Sequence, residues 1–176
     1  MRVKRKDAML IVALALAGVV SHALPHPMGV SSVGALGMLA AAYLPRTLTV
    51  IPVLITLVIV DAFNGFYGAL AMSFVYLGHL AAALRVRPAL GAIGVRSVAL
   101  ASIICAVVFY AISNLTTMAM GYYPNTFEGW IACYAAGLPF LLKGIVANAA
   151  YRGLAFGLIA MIGASDAHRF FAAQRN

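Results

Sequence analysis

Long stretches of this chain contain no charged residue. No Asp, Glu, Lys or Arg occurs between Asp7 and Arg46, or between Arg96 and Glu128. Charged residues make up 9% of the chain and apolar residues 64%, whereas soluble domains are about 25% charged and about 45–50% apolar. This hydrophobicity excludes a disordered chain, and two cysteines are too few for a secreted disulfide scaffold. The sequence therefore predicts an integral membrane protein.

Proline, glycine and charged residues divide the chain into six apolar segments. The candidate helices lie at about 8–24, 30–44, 48–62, 65–84, 97–118 and 130–162. A bilayer core about 30 Å thick takes about 20 helical residues per crossing, so the chain has room for about six or seven spans and no sizeable extramembrane domain. We expect an all-α polytopic membrane protein with six transmembrane helices in one domain, residues 1–176.

The basic residues predict the topology. With six spans and a cytoplasmic N-terminus, all but Lys143 and Arg152 of the twelve Lys and Arg residues fall on the cytoplasmic side. These are Arg2, Lys4, Arg5, Lys6, Arg46, Arg85, Arg87, Arg96, Arg169 and Arg175. The second and third segments are short enough to form one kinked helix, but merging them would move the basic loop at 85–96 outside. We therefore expect both termini to be cytoplasmic.

The N-terminus combines a basic start with an apolar run, as signal peptides do. Pro25 and Pro27 instead fit the end of a retained first anchor, so we expect no cleavage. The net charge of +8 is interpreted as a topology signal rather than a nucleic-acid-binding patch.

Signatures of membrane enzymes are missing from the sequence. It contains no H-E-x-x-H, G-x-S-x-G, C-x-x-C or G-x-x-x-x-G-K-[ST] motif. Because the chain has only four acidic residues, we expect neither paired-carboxylate catalysis nor a cation cage. Cys105 and Cys133 fit small buried hydrophobes. We expect no enzymatic activity, no cofactor and no bound metal.

Aromatic and polar residues concentrate in the predicted outer loops, at about 22–32, 61–65 and 119–129. The group comprises His22, His26, Asp61, Phe63, Asn64, Phe66, Tyr67, Tyr122, Tyr123, Asn125, Phe127, Glu128 and Trp130. Its rings suit an interfacial aromatic belt, and they equally suit the lining of an outward-facing pocket. Asp61 and Asn64 fit either helix caps or ligand-binding groups.

A few polar residues lie inside the predicted spans, where each needs a partner and is a functional candidate. His79 fits either a helix-packing histidine or an imidazole that contacts a ligand or metal. Asn114 fits an interhelical hydrogen bond. Asn148 and Arg152 are four residues apart and share a helix face, and Arg152 fits a side chain that snorkels to the headgroups. Lys143 lies in the same helix.

Small residues recur at four-residue spacing in the first and last helices. Ala13 and Ala17 form one such pair, and Gly153 and Gly157 form another. This spacing lets helix backbones approach closely in lipid. Ala13 and Ala17 are therefore a candidate interface with a partner helix.

Several segments resemble an uncharacterised family of small bacterial membrane proteins. They are VGALGMLAAAY at 33–43, FYAISNL at 109–115, YPNTFEGWIACY at 123–134 and LPF at 138–140. Together with the basic start, the six helices and the Ala13/Ala17 pair, the chain also resembles the substrate-binding S-components of energy-coupling-factor (ECF) vitamin transporters. The resemblance covers about residues 30–160 and implies a multi-pass protein of the bacterial inner (cytoplasmic) membrane.

The resemblance to S-components implies a function. Their outer loops close over a vitamin or related small molecule, and their first helix faces a transmembrane coupling subunit. Some solitary S-components that bind cobalamin use a cysteine to coordinate the cobalt. This chain has His79, and no cysteine, in the region of its third and fourth helices.

Two hypotheses from different classes follow. The first is a membrane-embedded binding and transport component for a small vitamin-like or cobalamin-like nutrient. Its expected substrate-binding residues are Asp61, Asn64, Tyr67, His79, Asn114, Tyr123 and Trp130. The second is a structural or accessory transmembrane subunit of a larger complex, with no ligand of its own. A channel or enzyme would need more polar lining than the sequence offers. A cavity beneath the outer loops would favour the first hypothesis.

Overall fold

A computed structural model describes the backbone of residues 4–25, 30–89 and 95–172, with side chains up to residue 155 except that of Val95. These residues form six α-helices and a 3-10 turn over Arg87–Ala89, with no strand among them. The helices are α1 (Arg5–Ala23), α2 (Val33–Tyr43), α3 (Val50–Asn64), α4 (Ala69–Arg85), α5 (Val95–Ala119) and α6 (Phe127–Ala172). The predicted all-α fold is confirmed.

The helices match the six predicted segments, with shifted ends. Gly65, at a φ of 93°, follows the last residue of α3, and a left-handed backbone of this kind favours glycine. Helix α4 consequently begins at Ala69 rather than at the predicted residue 65. Helix α6 runs through Pro139 and is longer at both ends than the predicted 130–162. His26, Pro27, Arg2 and Arg175 lie outside the described residues.

Helix length separates two groups of helices. Among the described residues, three helical stretches are long and apolar enough to cross a membrane: Arg5–Ala23, Arg96–Ala119 and Phe127–Ala155. Helices α2, α3 and α4 are apolar but shorter, with 11, 15 and 17 residues. At 1.5 Å per residue, α2 is about 17 Å long, against a bilayer core of about 30 Å. These lengths are consistent with a membrane protein.

Helix α2 lies at the centre of the bundle. It contacts each of the other five α-helices, and nine of its eleven residues are buried. Its small residues allow this close approach: a Cβ atom on Gly37 would lie 3.0 Å from the Cβ of Ala83 in α4. Met38 of α2 also packs in a buried cluster with Ala82 of α4 and Cys105 of α5. An all-round apolar helix of this kind is typical of a core.

Helices α4 and α6 are held apart by their neighbours. Each of them packs against α2 and α5, but within the described residues no Cα atom of α4 lies within 8 Å of a Cα atom of α6. Helices α5 and α6 run antiparallel, since Thr117 lies beside Cys133 at one end and Ser97 beside Arg152 at the other. The arrangement leaves a gap bounded by α2, α4, α5 and α6.

Candidate functional site: a cavity between the helices

A cavity of about 670 Å³ occupies this gap. It is lined by the end of α1, the start of α2, the middle of α4 and the facing sides of α5 and α6, with Tyr123 from the loop before α6. Drug-sized ligands typically occupy cavities of about 300–1,000 Å³. The cavity is therefore large enough for a small organic molecule.

The lining is mostly apolar and carries no charged Asp, Glu, Lys or Arg among the described residues. Four phenylalanine and tyrosine rings contribute to it, from Phe109, Tyr110, Tyr123 and Phe140. The polar side chains on its walls are those of His22, Ser31, His79, Ser113, Asn114, Thr117 and Asn148. Cys105 and Cys133 add two thiols. A largely apolar surface with a few polar groups is the usual composition of a ligand-binding site.

Most polar groups on the α5 wall bond to nearby main-chain carbonyls. Asn114 donates from Nδ2 to the carbonyl of Tyr110 at 2.8 Å, and Thr117 donates from its hydroxyl to the carbonyl of Asn114 at 2.6 Å. The Tyr110 hydroxyl donates to the carbonyl of Tyr134 and so ties α5 to α6. These donors stabilise the α5–α6 pair and are occupied before any ligand arrives.

His79 and Asn148 differ from that wall. The His79 ring stacks on Phe109 of α5, with ring centroids 4.2 Å apart. Its ring nitrogens make no hydrogen bond within the described residues. Asn148 of α6 is only 5% exposed, and its carboxamide also makes no hydrogen bond there. Both side chains line the cavity, His79 from α4 and Asn148 from α6.

The cavity brings together three of the seven predicted substrate-binding residues, namely His79, Asn114 and Tyr123. Asp61, Tyr67 and Trp130 are not part of its lining. Asn64 does not line it either, but its Nδ2 lies 3.5 Å from Nε2 of His22, which does. Asn148 was not among the predicted substrate-binding residues, although a lone amide inside a span is a signal that could have found it.

Asp61 is bonded within the protein. Its carboxylate, 9% exposed, accepts a hydrogen bond of 2.7 Å from the hydroxyl of Tyr76. Tyr67, in the turn between α3 and α4, lies in the same area: burial, and then the Asp61 carboxylate, raise the pKa of Tyr67 above its usual value. Asp61 and Tyr67 therefore belong to the junction of α3 and α4, outside the cavity.

Most of the remaining outer aromatic rings are exposed. Trp130 is 38% exposed, donates from Nε1 to Asn125 Oδ1 at 3.0 Å and stacks on Tyr134. The other exposed rings are Phe63, Phe66, Tyr67, Tyr122 and Phe127. Exposed rings close to helix ends are typical of an interfacial belt. Tyr123, which is less exposed, is the predicted ring that reaches the cavity.

Two cations on α6 have different surroundings. Lys143 is exposed, with its Nζ 5.6 Å from the centre of the Phe140 ring. Arg152 is 2% exposed and donates from Nη1 to the carbonyl of Ser97 in α5 at 3.0 Å. The interpretation of Arg152 as a snorkelling side chain is therefore wrong. Its guanidinium instead joins the middle of α6 to the start of α5.

Ala13 and Ala17 both lie on an exposed face of α1. Met9, Val12, Leu16 and Val20 complete this face and are 57–65% exposed. Within the described residues, α1 contacts only α2 and α3. No group of three or more His, Cys, Asp or Glu side chains suited to a metal ion occurs in the same part of the chain.

Comparison with known proteins gives one match. A family of unknown function, DUF6580, matches residues 3–171. No curated protein and no solved structure matches this chain. Because the match covers nearly all 176 residues, the chain belongs to this family of unknown function.

Proposed function

We propose that this protein is the membrane-embedded binding component of an uptake system for a small nutrient, similar to the S-components of ECF transporters. The observation that carries the proposal is the 670 Å³ cavity between α4 and α6. An accessory subunit without a ligand has no need of such a space, because close packing is the default in a helix bundle. The proposed role is binding and transport, without catalysis.

The proposal includes six membrane crossings, with both termini in the cytoplasm of a bacterium. The distribution of basic residues supports this topology. In it, α1, α3 and α5 end at the outer side, where α2, α4 and α6 begin. His22, Ser31, Thr117 and Tyr123 lie near those ends and line the cavity, so a ligand would enter from outside. At the opposite end, Arg87 donates to the carbonyl of Leu44, the residue after α2.

Native mass spectrometry of the purified protein tests the proposal. A small molecule other than a lipid should be released from the wild-type protein. Gly144 offers a matched pair of variants, because it lines the cavity and a Cβ atom there would lie 3.7 Å from the Cβ of Ala106, an ordinary contact. Gly144→Ala should retain the molecule. The phenyl ring introduced by Gly144→Phe should fill the space and exclude the molecule.

Two results would contradict the proposal. One is the absence of any molecule except phospholipid from wild-type protein purified from its own host. The other is equal retention of the molecule by Gly144→Phe and Gly144→Ala, since the molecule would then be bound elsewhere.

A second candidate function is that of an accessory subunit in a larger membrane complex. The exposed face of α1 supports it. Ala13 and Ala17 lie there among large apolar side chains, and such small residues let a partner helix approach closely. An accessory subunit would use this face for assembly, and a binding component would use it to reach a coupling subunit. Replacing both alanines by leucine should abolish co-purification of partner subunits while the chain stays folded. An unchanged complex would remove the reason for giving this face a role.

A further inference from the structure

Two polar side chains in the cavity have unused hydrogen-bonding groups. They are the imidazole of His79 on α4 and the carboxamide of Asn148 on α6, neither of which has a hydrogen-bond partner within the described residues. A buried polar group without a partner costs free energy, about as much as a lost hydrogen bond. In a ligand site, such a group is available to the ligand.

Gly34 on α2 lies against the Asn148 carboxamide. A Cβ atom on Gly34 would lie only 2.1 Å from Oδ1 of Asn148, so the absence of a side chain at Gly34 makes room for the amide. The amide is 5% exposed and borders the cavity. A carboxamide presents one acceptor and two donors side by side.

His79 is held differently, through its ring face. Stacking on Phe109 leaves the ring edge, with both nitrogens, free of hydrogen bonds in the described part of the chain. A Cβ atom on Gly78 would lie 3.0 Å from the Phe109 ring, so the glycine lets α4 come this close to α5. A neutral imidazole offers one donor and one acceptor.

The charge of the lining restricts the ligand further. No Asp, Glu, Lys or Arg lines the cavity among the described residues, and Arg152, one turn from Asn148, donates to the carbonyl of Ser97. An ionised group would find no countercharge among the described lining residues, which is costly in a mostly apolar cavity. The rings of Phe109, Tyr110, Tyr123 and Phe140 provide flat apolar contacts.

From these observations we infer that the ligand is an uncharged, flat heteroaromatic molecule with a lactam-type N–H/C=O edge, which Asn148 binds through two parallel hydrogen bonds while the ring N–H of His79 donates to the other lone pair of the same carbonyl oxygen. The inference rests on the proposed binding function and names the class of ligand. Since His79 on α4 and Asn148 on α6 both line the cavity between these helices, the ligand would bridge them.

Three probes of similar size test the inference. 2-Quinolone carries the lactam edge, 1-methyl-2-quinolone lacks its N–H, and quinoline-2-carboxylate carries a negative charge. Binding is measured by equilibrium dialysis against the protein in lipid nanodiscs, with empty nanodiscs subtracting partition into lipid. The wild-type protein should bind 2-quinolone about tenfold to a hundredfold more tightly than the methylated probe, because the latter leaves the amide unpaired. It should bind the carboxylate more weakly still.

Two variants show which side chain causes the preference for 2-quinolone over 1-methyl-2-quinolone. Asn148→Leu should reduce the ratio of the two quinolone affinities to about one while leaving the affinity for 1-methyl-2-quinolone unchanged, which also shows that the cavity is intact. His79→Phe preserves the stack on Phe109 and should weaken both quinolones equally. If Asn148→Leu does not fold, two measurements still test the inferred ligand class. They are the ratio of the two quinolone affinities in the wild-type protein and the affinities of His79→Phe.

Each contrary result has its own meaning. Equal binding of both quinolones by the wild-type protein, or tighter binding of the carboxylate, would overturn the inferred ligand class and leave the proposed binding function intact. A preference that survives in Asn148→Leu would overturn the role of Asn148. Failure of all three probes to bind would also overturn the ligand class, whereas the binding function itself falls only if native mass spectrometry finds no molecule.

Discussion

The hydroxyl of Tyr76 on α4 donates a 2.7 Å hydrogen bond to the carboxylate of Asp61 on α3. Asp61 is 9% exposed and lies one turn before the end of its helix. The bond therefore fixes α4 against α3 at a place where the two helices are joined by a short turn. The sequence is equally compatible with a ligand-binding and a helix-capping role for Asp61. In the structure its carboxylate bonds to Tyr76 instead.

Tyr76→Phe should lower the stability of the protein. The substitution keeps the ring and removes the donor, so the mostly buried Asp61 carboxylate loses its hydrogen bond, at a cost of about 1–3 kcal/mol. Unfolding in mixed micelles of increasing SDS content measures the change. Tyr122→Phe, at a ring that is 68% exposed, is the matched control and should change little. Equal stability of the two variants would show that the Asp61–Tyr76 bond does not stabilise the fold.

The sequence predicted the helices well because prolines, glycines and charges separate long apolar runs. It could not predict the partner of Asp61, because the rotation of α4 about its own axis decides which side chain faces α3. Tyr76 is fifteen residues away along the chain, and no local pattern links the two. The sequence supports capping and ligand binding as interpretations of Asp61, and neither includes a tertiary hydrogen bond.

The cavity was predicted only in part for a similar reason. His79 and Asn114 stand out as polar residues within apolar segments, and the structure places both on the cavity wall. Asn148 stands out in the same way, but its spacing from Arg152 only shows that the two share a helix face. That this face meets Gly34 of α2, and that Arg152 is buried, follows from packing between distant segments.

Gly137→Ala should destabilise the pairing of α5 and α6. The added Cβ atom would lie 2.7 Å from Asn114 Oδ1 and 2.8 Å from Cε2 of Tyr110, so these hydrogen-bonded side chains must shift. Overpacking of this kind costs about 1–3 kcal/mol. Gly153→Ala, in the same helix with no atom within 4 Å of its new Cβ, should be neutral or gain up to about 1 kcal/mol. Thermal unfolding in detergent compares them, and equal midpoints would refute the close contact at Gly137.

The six-span topology predicts opposite labelling at the two ends of the bundle. Cys105 and Cys133, the two cysteines of the chain, are 2% and 1% exposed and should not react with a membrane-impermeant maleimide in intact cells. A cysteine introduced at Glu128 should react from outside, and one introduced at Arg85 only after the cells are broken. Both native side chains are exposed. Labelling of the Arg85 position in intact cells would contradict the topology.

Arg152→Ala should be much more damaging than Lys143→Ala. Arg152 is 2% exposed, so truncation leaves a cavity beside Met38 and removes the donor to the Ser97 carbonyl. Loss of a large buried side chain costs about 2–5 kcal/mol. Lys143 is exposed and lies over the Phe140 ring, a contact worth about 0.5–1 kcal/mol. SDS-induced unfolding of the two variants measures the difference. Similar, small losses for both would indicate that the guanidinium of Arg152 reaches the headgroups, as the sequence first suggested, rather than the start of α5.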